Sequence, residues 1–185
     1  MRSIYIVLTR TKSLLSRFIC VYKGDKYSHA TLAFDLKLDR MYGFGRKYSF
    51  FPFYGRFRVE KINTGFLGRH RKLPGAIIKL DVTEDQYREV RQLVGHFVIH
   101  EKLYRYNTIG LMSSVIGKYV VDEYKYFCSE FVYYVLYKCD ILDFGVHQGL
   151  VRPQSFYDNL KEIYEGDLKR IPILRTPVSS QKTLD

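Results

Sequence analysis

Tyr124-Lys-Tyr-Phe-Cys-Ser-Glu-Phe-Val-Tyr-Tyr-Val-Leu136 is the stretch on which the fold turns. Phe131, Val132, Val135 and Leu136 recur at helical spacing, so a helix is expected from Cys128, or just before it, to about Lys138. A thiol in the first turn of a helix lies against backbone amides that have no intrahelical partner and against the positive end of the helix dipole. Both favour thiolate over thiol. With a histidine alongside, a cysteine pKa falls from about 8.5 to between roughly 3.5 and 7.5. The same amides, above all that of Cys128, can donate to a developing oxyanion. Ser129, Glu130 and Tyr126 flank the thiol and are assigned to the oxyanion site or the cleft. Glu130 also suits the first turn, where a carboxylate complements the dipole. A lone cysteine on a helix is more often a packed residue than a nucleophile, so the assignment depends on a partner.

Upstream, Tyr27-Ser-His-Ala-Thr-Leu-Ala-Phe34 supplies one. This run reads as a strand over Ser28–Asp35 with buried residues on both faces. His29 within it must satisfy both ring nitrogens, either as a bonded core group or as a base. A polar turn at Leu36–Asp39 and a strand over Arg40–Arg46 complete an antiparallel hairpin. Strands are also expected over Ser3–Thr9, Arg56–Ile62 and Ala76–Val82. Thr11–Tyr22 reads as a short helix, Tyr48–Gly55 as an irregular excursion and Gly65–Gly75 as a basic loop.

Thr83-Glu-Asp-Gln86 has the form of a capping box and starts a helix running to about His100. Tyr87, Val90, Leu93, Val94, Phe97 and Val98 supply its apolar stripe. Shorter helices are expected over Thr108–Ile116, ended by Gly117, and from Pro153, in a helix that contains Phe156 and Leu160 and that Gly166 follows. The chain therefore reads as α+β, a small antiparallel sheet packed against helices. One domain is expected over residues 1–176, with a polar tail over 177–185.

At 185 residues and 46% hydrophobic content, the chain can bury a full core. Its apolar runs are far shorter than the roughly 20 residues that span a bilayer. The start, Met1–Lys12, has only a brief apolar run before further charge, unlike a secretory signal. Cys20, Cys128 and Cys139 show neither metal-pair spacing nor an even disulfide set, which fits reduced thiols in a cytoplasmic protein. The net charge of +11 draws anionic polymers or a membrane surface diffusely. No recognition helix, zinc module or single-strand signature accompanies it, so no specific nucleic acid is expected. His96 and His100 share a helix face but lack the intervening Glu of a zincin motif, and they lie on the polar side. Gly43-Phe-Gly-Arg46 lacks the third glycine and following helix of a dinucleotide fingerprint. Neither metal nor cofactor is expected.

Four pieces, Ser28-His-Ala30, Met41-Tyr-Gly-Phe-Gly-Arg-Lys47, Tyr126-Phe-Cys-Ser-Glu-Phe-Val132 and Ile163-Tyr-Glu-Gly166, carry a family resemblance. The chain resembles the permuted papain-like cysteine hydrolases of the NlpC superfamily, particularly the YiiX-type group. There the histidine strand precedes the cysteine helix, as His29 precedes Cys128 here. The resemblance implies a circularly permuted papain-like fold and a Cys–His dyad whose imidazole a third polar group orients. Relatives often carry a polar or acidic side chain where this chain has Gly43. Glu60 on the next strand is one candidate for the role; Ser49, a backbone carbonyl or water are the others. The expected activity is a thiol amidase or peptidase acting on a peptide, amide or ester. Two alternatives stand beside it, a thiol acyltransferase and an inactive binding module of the same fold holding an anionic partner.

Overall fold

β1 (Arg2–Thr9) is apolar on both faces: Ile4, Ile6 and Leu8 enter one buried cluster and Val7 another. A strand apolar on both sides belongs inside a sheet with both faces covered, and β1 lies there. The computed structural model describes residues 1–10, 23–46 and 55–171. Among these, β1 pairs antiparallel with β2 (His29–Ala33) on one side and β5 (Pro74–Val82) on the other. Beyond β2 follow β3 (Met41–Arg46), β4 (Gly55–Glu60), β6 (Arg105–Tyr106) and β7 (Lys125–Tyr126); β8 (Glu162–Asp167) joins β5. The result is a mixed α+β structure on one eight-stranded sheet of order β7-β6-β4-β3-β2-β1-β5-β8. All its pairings are antiparallel except β6 with β7.

Five helices lie among the described residues: α1 (Gly65–Gly68), α2 (Glu84–Ile99), α3 (Thr108–Val115), α4 (Cys128–Lys138) and α5 (Pro153–Asn159). α2 starts where the capping box requires: Thr83 Oγ1 accepts from the Gln86 amide at 3.1 Å, and Gln86 Oε1 accepts from the Thr83 amide at 3.0 Å. Val90, Val94 and Phe97 then turn onto the sheet, while Val98 stays 39% exposed and leaves the expected stripe. α4 buries Phe131, Val132, Val135 and Leu136 against the same face. Phe44, Phe57, Phe97 and Phe131 meet there in tilted and edge-on pairs at 5.0–6.2 Å. Each buried aromatic side chain contributes roughly 1.5–3 kcal/mol by leaving water, so α4 is held rigidly. The other face is covered by Leu67 of α1 and by Leu168, which pack on Val7, Ala33, Met41 and Ile77.

Three differences from the sequence reading stand out. The expected loop Gly65–Gly75 contains α1 and the start of β5. β8 occupies a segment with no strand expectation, Glu162–Asp167, and follows α5 directly. The two-residue strands β6 and β7 were also unanticipated. The expected helix Thr11–Tyr22, most of the excursion Tyr48–Gly55 and the tail beyond residue 176 lie outside the described residues. No helix among the described residues is long and apolar enough to cross a membrane.

Candidate active site

Cys128 is the first residue of α4, preceded by Phe127 as N-cap in an extended conformation. The carbonyl of Phe127 accepts the first helical bond from the Phe131 amide at 3.0 Å. Glu130 reaches back and accepts from the Phe127 amide at 3.1 Å, so the helix start is fixed on both sides of the thiol. Cys128 itself is 2% exposed. The amides of Ala30 and Ser129 donate to its sulfur. One comes from the neighbouring strand, the other from the helix turn.

His29 opens β2 and hydrogen-bonds Cys128. Its Nε2 lies 3.0 Å from Glu60 Oε2, a pair whose side chains are only 12% and 10% exposed. With Nε2 taken by Glu60, Nδ1 is the nitrogen left for the sulfur. Glu60 comes from the end of β4 and must cross β3 to reach β2. Gly45 lets it do so: a Cβ built there would stand 2.6 Å from Glu60 Oε1. Gly43 has a different reason. A Cβ at that position would meet Thr31 Cγ2 at 2.9 Å and the Ala30 carbonyl at 3.3 Å, so the space a polar side chain would need is filled by β2.

The three groups settle one another's charge. Burial disfavours charge on His29, but the Glu60 carboxylate and the Cys128 sulfur outweigh it and raise the imidazole to about 10. Burial pushes the Cys128 thiol up, whereas the His29 bond and charge, helped by the two amides, pull it below its ordinary value. Burial also pushes Glu60 up, and His29 with Arg58 pulls it lower than an ordinary glutamate. Each shift runs towards the charged form, so the row favours thiolate, imidazolium and carboxylate. That arrangement can attack an electrophilic carbon and deliver a proton to a leaving group.

The remaining sequence candidates are placed as follows. Ser129 is fully buried; its amide serves the sulfur, while its Oγ has no partner among the described residues. Glu130 is 2% exposed and bonded to Phe127 and Asn107, which makes it a helix-start brace away from solvent. Tyr126 is buried in the aromatic core, with ring centroids 5.3–5.6 Å from Phe44, Phe97 and Tyr134. Alternation accounts for that packing: Tyr126 and Tyr106 are register partners, and Tyr106 packs onto that same core. Cys139 is buried at the far end of α4, and burial pushes its thiol up to about 11. Cys20 and Ser49 lie outside the described residues.

His96 is exposed and bonded to the Tyr104 hydroxyl at 3.1 Å. Among the described residues no three His, Cys, Asp or Glu side chains gather at metal-binding range. Two participants escaped the sequence reading. Thr9 pairs with His29 across β1 and β2, and its Oγ1 is buried without a partner among the described residues. Asn107 donates to Glu130 at 3.4 Å and caps α3 by accepting from the Gly110 amide at 2.8 Å. An Asn three residues before a glycine at a helix start was the available signal. Beside Glu60, a cavity of about 180 Å³ is walled by Arg58, Lys61, Thr64 and Phe66. Comparison with protein-family models, curated proteins and solved structures gave no match.

Proposed function

We propose that this chain is a cysteine-dependent hydrolase that cleaves an amide or ester bond through a thioacyl intermediate, on a circularly permuted papain-like scaffold of the NlpC type. The observation that carries the reading is His29, bonded on one side to Cys128 and on the other to Glu60. The Cys128 thiolate attacks the substrate carbonyl carbon, forming a C–S bond and an oxyanion that helix-start amides stabilise. Imidazolium His29 gives its proton to the leaving amine or alkoxide as that bond breaks. Water then attacks the thioacyl carbon while neutral His29 takes its proton. Collapse of the second oxyanion expels the thiolate, releases the acid and restores imidazolium. Glu60 keeps the ring oriented and favours its charged form.

The order His29, Glu60, Cys128 supports the permuted arrangement, with the base on a strand upstream of the nucleophile helix. Glu60 against His29 supports a working site over an inactive binding module, because it offers an orienting carboxylate where Gly43 has no side chain.

Iodoacetamide alkylation followed from pH 5 to 9 tests the reading. Native Cys128 should label along a limb displaced below that of an ordinary thiol, and ahead of Cys139. His29→Ala should move the limb above the free-thiol range, because burial then acts without a counter-charge. Glu60→Gln should move it part of the way. Loss of the general acid–base group is expected to cost about 10²–10⁴ in turnover. Superimposed profiles for native protein and His29→Ala, with circular dichroism showing both folded, would overturn the mechanism.

A further inference from the structure

A surface helix ordinarily turns a polar face to water. α3 does not. Between Asn107 and Gly117 it carries no charged side chain; Leu111 and Val115 are buried against Phe127, while Ile109, Met112 and Ile116 are 70%, 42% and 66% exposed. The spacing of these three puts them on one outer face. The patch continues beyond the helix. Asn107 Nδ2 donates to the Val120 carbonyl at 3.4 Å, which brings Val120 and Val121 beside the start of α3, and Val121 is 69% exposed. Contiguous exposed apolar surface of this kind marks an interaction site.

Charge indicates the partner. In the sheet register Arg56 lies opposite Arg105, and Arg105 opposite Lys125, so three exposed cations form a row across β4, β6 and β7 at the edge from which α3 leaves. Lys118 adds another between α3 and Val120. The carboxylates of this stretch are Glu101, Asp122 and Glu123, of which Asp122 is held by Lys125 at 2.5 Å. The whole chain carries +11. Two copies meeting through this face would bring their cation rows together. A bilayer bearing anionic headgroups accepts the apolar face and the cations at once.

We infer that the outer face of α3 with Val120 and Val121 is a peripheral docking surface for anionic lipid bilayers. It stands apart from the thiol chemistry. Phe127, the N-cap of the cysteine helix, packs beneath α3, so docking would bring the start of α4 towards the membrane.

Vesicle co-sedimentation tests this, using phosphatidylcholine alone and phosphatidylcholine with roughly a third of phosphatidylglycerol. The native protein should bind the anionic vesicles. Ile109→Asp combined with Ile116→Asp should weaken binding by at least about tenfold, and Val121→Asp should weaken it in the same direction. Arg105→Glu should weaken it most at low salt. Ile163→Asp, at an exposed site on β8 at the opposite edge of the sheet, should leave it unchanged. If the double variant fails to fold by circular dichroism, Val121→Asp decides. No vesicle binding by the native protein overturns the inference, as does binding that the folded apolar-face variants leave intact. A native dimer that these variants dissociate, with no vesicle binding, assigns the face to self-association and also overturns it.

Discussion

Glu130 is a buried carboxylate two residues from Cys128 in the first turn of α4, and its environment is one-sided: burial outweighs the bonds from Phe127, Asn107 and Gln148 and raises it to about 7. An ordinary glutamate in the unfolded chain titrates near 4.5. Between those values the folded state holds the extra proton, so stability contributed at Glu130 falls as pH rises through the window and stays low above it. The difference corresponds to about 3 kcal/mol. Glu130→Gln keeps an oxygen for the Phe127 amide and removes the charge. Melting temperatures at pH 5 and pH 8 should therefore diverge, with the glutamine variant several degrees more stable than native at pH 8 relative to pH 5. Parallel curves for the two proteins would show that Glu130 is not held protonated. At this scale Cys128 and His29 were legible in the sequence because each sits in a local pattern, a helix start and a buried strand. Glu60 was much less so: flanked by Val59 and Lys61 it looks like a solvated strand residue, and its role comes from a partner two strands away.

At the scale of elements, β3 owes its use to two glycines with unequal duties. At Gly45 an added Cβ meets the end of a flexible side chain, the Glu60 carboxylate, whereas at Gly43 it meets Thr31 and the backbone of Ala30. Gly45→Ala should therefore fold, push Glu60 off His29 and shift the Cys128 alkylation limb as Glu60→Gln does. Gly43→Ala should act on stability instead, by about 1–3 kcal/mol through overpacking between β2 and β3. Urea midpoints and alkylation profiles measured side by side check both; a Gly45→Ala protein with the native profile would show that Glu60 does not depend on that glycine. The elements that sequence located well were those with a strong local signal. α4 begins and ends as expected, and α2 follows its capping box. β8 was hidden because Glu162-Ile-Tyr-Glu-Gly-Asp167 is polar and glycine-bearing, and its strand form comes from pairing with β5 across a shift in register at Ile77/Ile78. α1 was hidden because Gly65-Phe-Leu-Gly68 opposes helix by propensity, and burial of Leu67 compensates.

Across the whole molecule the net charge of +11 and the apolar face of α3 make separable demands on a partner. Lysine and arginine scattered over the chain attract a polyanion by releasing its counterions, a process that reads no sequence and weakens linearly in the logarithm of salt concentration. Single-stranded oligonucleotides of different sequence should thus bind with similar affinity, and raising salt from 50 to 200 mM should reduce that affinity roughly 300-fold if some six phosphates are contacted. The apolar face contributes nothing to such a complex. Ile109→Asp with Ile116→Asp adds two negative charges and should lower oligonucleotide affinity only modestly, whereas Arg56→Glu with Arg105→Glu, reversing two cations, should lower it further and flatten the salt slope. Fluorescence anisotropy over a salt series distinguishes the two contributions. Tight binding of one sequence that survives high salt would show that the basic surface reads bases, and the diffuse electrostatic account would then fail.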